Sequence, residues 1–209
     1  MLRHAPGRGT STAALAIGVL VAVAPAPATA TVMLPVTLPP GVVDTAIDVV
    51  QDATEPAGAL ATGGCPGAGA RASSASPEKL RGALLCLVNN KRAAHGLGAL
   101  TVDRRIQRAA GRHARDMVRH DYFDHQRADG PDLTARLDRA GWHGSAWGET
   151  LAYGCGSIGT PRATVRGWMN SPPHKEILLS DRYRSAGLGV TESAPCGEGA
   201  MWVMDVGRE

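Results

Sequence analysis

The first 121 residues contain no aromatic side chain; all eight aromatics, from Tyr122 to Trp202, come later. Residues 31–77, rich in Ala, Gly, Pro and Thr, therefore cannot bury enough apolar area to offset their ordering entropy, and composition predicts a flexible linker there. No segment after residue 30 is apolar enough to span a bilayer. No C-x-x-C pair occurs, so the cysteine spacings fit no zinc ribbon. Also missing are H-E-x-x-H, the zinc-protease helix signature, and G-x-S-x-G, the serine nucleophile elbow.

What is present begins with "MLRHAPGRG", basic and free of acids, followed by an apolar stretch from Ala13 to Ala24 and the small-residue site Ala28-x-Ala30. These features predict a signal peptide over residues 1–30 and a secreted, extracellular protein. Loss of that leader removes Arg3 and Arg8 and lowers the formal charge from +3 to +1. So small a net charge calls for no nucleic-acid partner, and the mature chain is expected to be a monomer with no membrane span. The domain itself is assigned to residues 78–209.

An oxidising compartment turns Cys65, Cys86, Cys155 and Cys196 into disulfide candidates. Of the three possible pairings, Cys65 with Cys86 and Cys155 with Cys196 is favoured. The first would staple the end of the linker to the first helix, and the second would close a loop within the domain.

From Pro77 to His95, Leu80, Leu84, Leu87 and Val88 recur at helical spacing between a Ser76 cap and a stop at Gly96. A second helix runs from an Asp103 cap to about His120. One side carries Ile106, Ala110, His113, Ala114 and Met117; the other carries Arg104, Arg105, Arg108, Arg112, Arg115 and Arg119. The arginine stripe reads as a solvated face, with an anionic lipid or cell-wall polymer as the sharper alternative. Short helices are expected around Pro131 to Ala140 and, after a Thr160 cap, from Pro161 to about Met169. "AGLGVTES" and "AMWVMDVG", separated by "APCGEG", read as an antiparallel hairpin. Helices first and strands later give an α+β class.

The polar residues expected to converge are His125 in "YFDHQ", Glu149 in "WGETLAYG" and His174 in "SPPHKEIL". Ser171, ahead of "PPHKEILL", is read as the cap of a short helix. Together "LLCLVNNKRAAHGLGALTVD", "AAGRHARDM", "YFDH", "WGETLAYG", "WMNSPPHKEIL", "AGLGV" and "WVMDVG" resemble, in order, the CAP superfamily. That superfamily comprises cysteine-rich secretory proteins, antigen 5 and pathogenesis-related class 1 proteins, whose shared unit is also called the SCP domain. The similarity covers residues 82–209 and is closest to the bacterial secreted branch.

The resemblance implies a three-layer α-β-α sandwich with a central antiparallel sheet and a cleft holding two histidines and two acids. His125, Glu149 and His174 match three of those four positions; Ser171 stands where the second acid is usual. Thr150 and Ile177 also depart from the pattern, which has Asn at both. Two imidazoles across a cleft can bind a divalent metal such as zinc, with Glu149 as third ligand or as the acceptor that orients one ring. The expected role is a binding or interaction module for a lipid, sterol or envelope component. The alternative is a metal-assisted hydrolase of peptides or cell wall, with His125, Glu149 and His174 as its catalytic candidates.

Overall fold

The computed structural model describes residues 21–23, 64–192 and 199–209. Four of the five α-helices among the described residues start where the sequence supplies a side-chain acceptor for an unpaired backbone N–H. Ser76 caps α1 (Pro77–Ala94) by accepting from the Lys79 amide, and Asp103 caps α2 (Arg104–Arg119) by accepting from the Arg105 and Ile106 amides. Asp132 does the same for α3 (Leu133–Arg139), and Thr160 for α4 (Pro161–Met169). Gly96, at φ +69°, supplies the left-handed residue that lets the chain leave α1.

The strands are β1 (Val21–Val23), β2 (Thr101–Val102), β3 (Ala146–Cys155), β4 (Ser185–Thr191) and β5 (Gly199–Arg208). They form one sheet in the order β1-β3-β5-β4-β2, antiparallel except where β2 pairs with β4. β4 and β5 form the antiparallel pair that the sequence predicts. Cleavage at Ala30 would remove β1 and leave a four-stranded sheet with β3 at its edge.

Alternation along β5 divides the core in two. Trp202, Met204 and Val206 join α1, α4 and α5 (Pro172–Leu178) on one side, with Leu84, Trp168, Ile177 and Leu178. Met201 and Val203 meet Ala110, Ala114 and Met117 of α2 on the other, beside a second cluster of Ile106, Leu137 of α3 and Trp142. This is the expected three-layer sandwich. On β4, Gly187 and Gly189 face α2, and a Cβ there would stand 2.1 Å from the Gln107 nitrogen and 2.3 Å from the Ala110 oxygen, respectively. Only glycine lets the helix lie so close to the strand.

Folded structure begins earlier than composition suggests, inside the segment read as linker. Cys65 and Cys86 form a disulfide with a Cα separation of 5.7 Å, and Ala68 and Ala72 are buried. A covalent tie and small apolar contacts order residues whose composition alone would not. Cys155 is also disulfide-bonded. Cys196, its expected partner, lies outside the described residues, as do the rest of the leader and residues 31–63.

Candidate functional site

Five polar side chains meet between the sheet and the α2–α3 layer. Glu149, on β3, is fully buried and turned toward α2, as Leu151 and Tyr153 are at the next alternate positions. His125, in the turn after α2, donates from Nδ1 to Glu149 Oε1 at 2.6 Å. Arg136 of α3 donates to Glu149 Oε2 at 2.5 Å and to the His125 carbonyl at 2.6 Å. The arginine thus holds both the carboxylate and the backbone that carries the histidine. His113 of α2 places Nε2 3.8 Å from Glu149 Oε2 and donates to the Asp124 carbonyl at 3.0 Å. Asp205, on β5, pairs in register with Glu149 and is equally buried.

Burial raises the energy of every charge here, and the neighbours decide which charges survive. For Glu149, burial alone would push the carboxyl pKa up, but the Arg136 guanidinium and the hydrogen bond from His125 outweigh it and hold the pKa well below the usual range. Asp205 lacks those partners: burial and the adjacent Glu149 charge raise its pKa far above the ordinary value, and no donor reaches either oxygen. Asp205 is therefore the protonated member of the pair. His113 is lowered to about 4 by burial, partly offset by Glu149, and is neutral at pH 7.

His174 is carried by the helical layer on the other side of the sheet. It opens α5, in the layer of α1 and α4, and is fully buried with Nδ1 2.8 Å from Ser171 Oγ. No hydrogen bond joins it to His125 or Glu149 among the described residues. Ser171 occupies the N-cap position of α5, but its side chain makes no capping bond. This corrects the capping role read from sequence: Pro172 and Pro173 have no N–H to offer, and the hydroxyl turns to the imidazole instead.

A metal centre finds poor footing in this geometry. His125 Nε2 is buried without a partner, so one imidazole nitrogen is available. Both Glu149 oxygens are engaged, one by a cation, and no group of three His, Cys, Asp or Glu residues among those described is arranged to hold an ion. Of the two roles drawn from sequence for Glu149, the geometry fits the acceptor that orients the His125 ring and not the third ligand.

Sequence reasoning missed Asp205 and Arg136. The first had a readable signal, a lone acid inside the apolar strand "AMWVMDVG". Arg136 had none, since one arginine on a short polar helix is ordinary. Beside the cluster, α2, α3 and the connecting turn enclose a cavity of about 530 Å³, with His113 and Arg136 in its wall.

The three-layer sandwich thus carries a buried His–Glu pair at the junction of β3 and the turn after α2. The cysteine-rich secretory protein family, CAP, matches residues 85–206, more than half of the chain, and the protein belongs to that family. Among curated relatives, the uncharacterized membrane protein YlbC of Bacillus subtilis is 35% identical over 107 residues, covering 51% of this chain and 30% of its own length. The uncharacterized protein YkwD of the same organism is 31% identical over 119 residues, covering 56% and 42%. The chain thus spans less than half the length of either. Similar folds occur in an SCP-domain extracellular protein from Bacillus anthracis, with TM-score 0.54, 24% identity and coverage of 65% of this chain and 44% of that one. They also include an outer surface protein of Borrelia burgdorferi, with TM-score 0.54, 21% identity and coverage of 60% and 90%.

Proposed function

We propose that the protein acts outside the cell as a CAP-domain binding module for a lipid, sterol or envelope component, and that its buried polar cluster shapes the cleft wall. The observation that carries this reading is the state of Glu149. A general base needs a carboxylate that can reach a proton and a pKa near working pH. Glu149 is fully buried, both its oxygens are bonded, and Arg136 keeps it a weak base. Export is supported by the leader-like start and by the extracellular and outer-surface descriptions of two similar structures. No helix among the described residues is long and apolar enough to cross a membrane.

A hydrolase is the second reading, favoured by one contact, the 2.8 Å approach of Ser171 Oγ to His174. The two readings separate on purified protein. Organic extraction and mass analysis should recover a bound ligand, metal content should be substoichiometric, and peptide and muropeptide turnover should be at background. Turnover that is lost in both Ser171→Ala and His174→Ala, with the fold intact, would establish the hydrolase. Stoichiometric zinc lost on His125→Ala would restore the metal centre.

A further inference from the structure

A formal net charge of only +3 conceals one dense local accumulation. The cavity between α2 and α3 is walled by Arg112, Arg115 and Arg119 of α2, Arg127 of the turn, and Arg136 and Arg139 of α3. The first three lie three and four residues apart, so one stripe of the helix points them into the same space. The cavity's one carboxylate, Asp116, is already used: Tyr122 donates to it at 2.6 Å and His120 lies 3.0 Å away.

Arginines outside the cavity show what satisfied ones look like on this protein. Arg105 pairs with Asp103 and Glu209, and Arg108 donates to the Ala140 carbonyl. Inside it, Arg112, Arg115, Arg119, Arg127 and Arg139 make no ion pair and no side-chain hydrogen bond among the described residues. Arg136 alone is committed, to Glu149, and serves as a fixed part of the wall. A concave site lined by one sign of charge concentrates the opposite sign from solution.

We propose that this cavity binds a phosphate-bearing ligand with two or more negative charges. Planar guanidinium forks take phosphate oxygens two at a time, and several converging forks favour a multiply charged group over a single carboxylate. The volume, about 530 Å³, accommodates a headgroup or a sugar phosphate, within the usual range of small-ligand sites. The inference rests on the binding-module reading and names the ligand's chemistry.

The test uses inorganic pyrophosphate, followed by calorimetry, on the purified protein. Binding is expected, weakening as salt rises from about 50 to about 500 mM. A variant carrying Arg115→Gln, Arg119→Gln and Arg127→Gln should lose about tenfold or more in affinity, since charge-assisted bonds are the strong ones. A charge-matched control, Arg104→Gln with Arg162→Gln and Arg166→Gln, alters exposed arginines that do not line the cavity and should bind as wild type. Equal losses in both variants would overturn the site in favour of bulk charge, and so would no binding at low salt by thermally intact protein. Vesicles of phosphatidylcholine with phosphatidylglycerol identify the source. Co-sedimentation that pyrophosphate displaces supports a lipid headgroup, and pyrophosphate binding without co-sedimentation supports a soluble phosphate ester. Failure to bind pyrophosphate while an apolar ligand is still extracted would sink this inference and leave the module intact. Hydrolytic turnover with no ligand of either kind would sink the module as well.

Discussion

Glu149 and Asp205 face each other across β3 and β5, two fully buried carboxyls with a single guanidinium, Arg136, bonded to one of them. Neighbouring buried acids cannot both ionise cheaply, so the arginine settles which keeps its charge. Glu149 holds the negative charge and Asp205 holds the proton.

Stability should therefore fall with rising pH through Asp205. Unfolded, this acid titrates near 3.8; folded, its pKa is raised by burial and by Glu149. Its contribution is complete below the unfolded value and is lost as pH climbs through the folded one. Asp205→Asn, close in shape to the protonated acid, should remove that loss. Thermal melts from about pH 4 to about pH 8 should give a flatter curve for the variant, which ends above wild type. Parallel curves would mean that Asp205 is ionised in the fold.

Glu149 carries the opposite sign. Its folded pKa lies below the unfolded 4.5, so its stabilisation is present above that value and drains away as pH falls through the folded one. Glu149→Gln should abolish this part of the acid transition. At neutral pH it strands the buried Arg136 charge, at a cost of about 3–5 kcal/mol, and Arg136→Met should cost a similar amount by stranding Glu149. The double variant should cost clearly less than the two single changes added together, measured by urea denaturation.

Two glycines predict changes of opposite sign. Gly189→Ala forces a methyl into the Ala110 carbonyl and should destabilise by about 1–3 kcal/mol. Gly82→Ala, on an exposed part of α1 with nothing near the new carbon, should stabilise by about 0.5–1 kcal/mol. Equal effects at the two sites would show that α2 does not lie against β4 at this distance.

Replacing Cys65 and Cys86 together with alanine releases a bridge between residues 21 apart and should cost about 3 kcal/mol. Proteolysis should then open residues 64–76 before the rest of the domain. Unchanged protection of that segment would assign its order to packing alone.

Most of the helices were legible because their signals are local. Ser76, Asp103 and Thr160 each cap the helix that follows, and the alternating faces of α2 appear in its residue order. The strand β3 was harder: "AWGETLAYGC" mixes glycines, an acid and aromatics, and its pairing with β5 supplies what its composition lacks. Of the site, His125 and Glu149 were found through the resemblance and do meet. His174 matched the same pattern and is carried by α5, in the layer of α1 and α4, where its Nδ1 meets Ser171 Oγ. Asp205 and Arg136 come from distant segments, so only the folded sheet and the crossing of α3 bring them to Glu149.

Gly187 and Gly189 set how α2 rests on the sheet, and they do so on the side of the helix turned away from its arginines. What anchors the helix and what it displays are consequently written at separate positions. Related chains are thus free to redraw the display, exchanging cationic for neutral or acidic residues at 112, 115 and 119, without disturbing the anchor. Such a scaffold can change its choice of ligand while its architecture stays fixed.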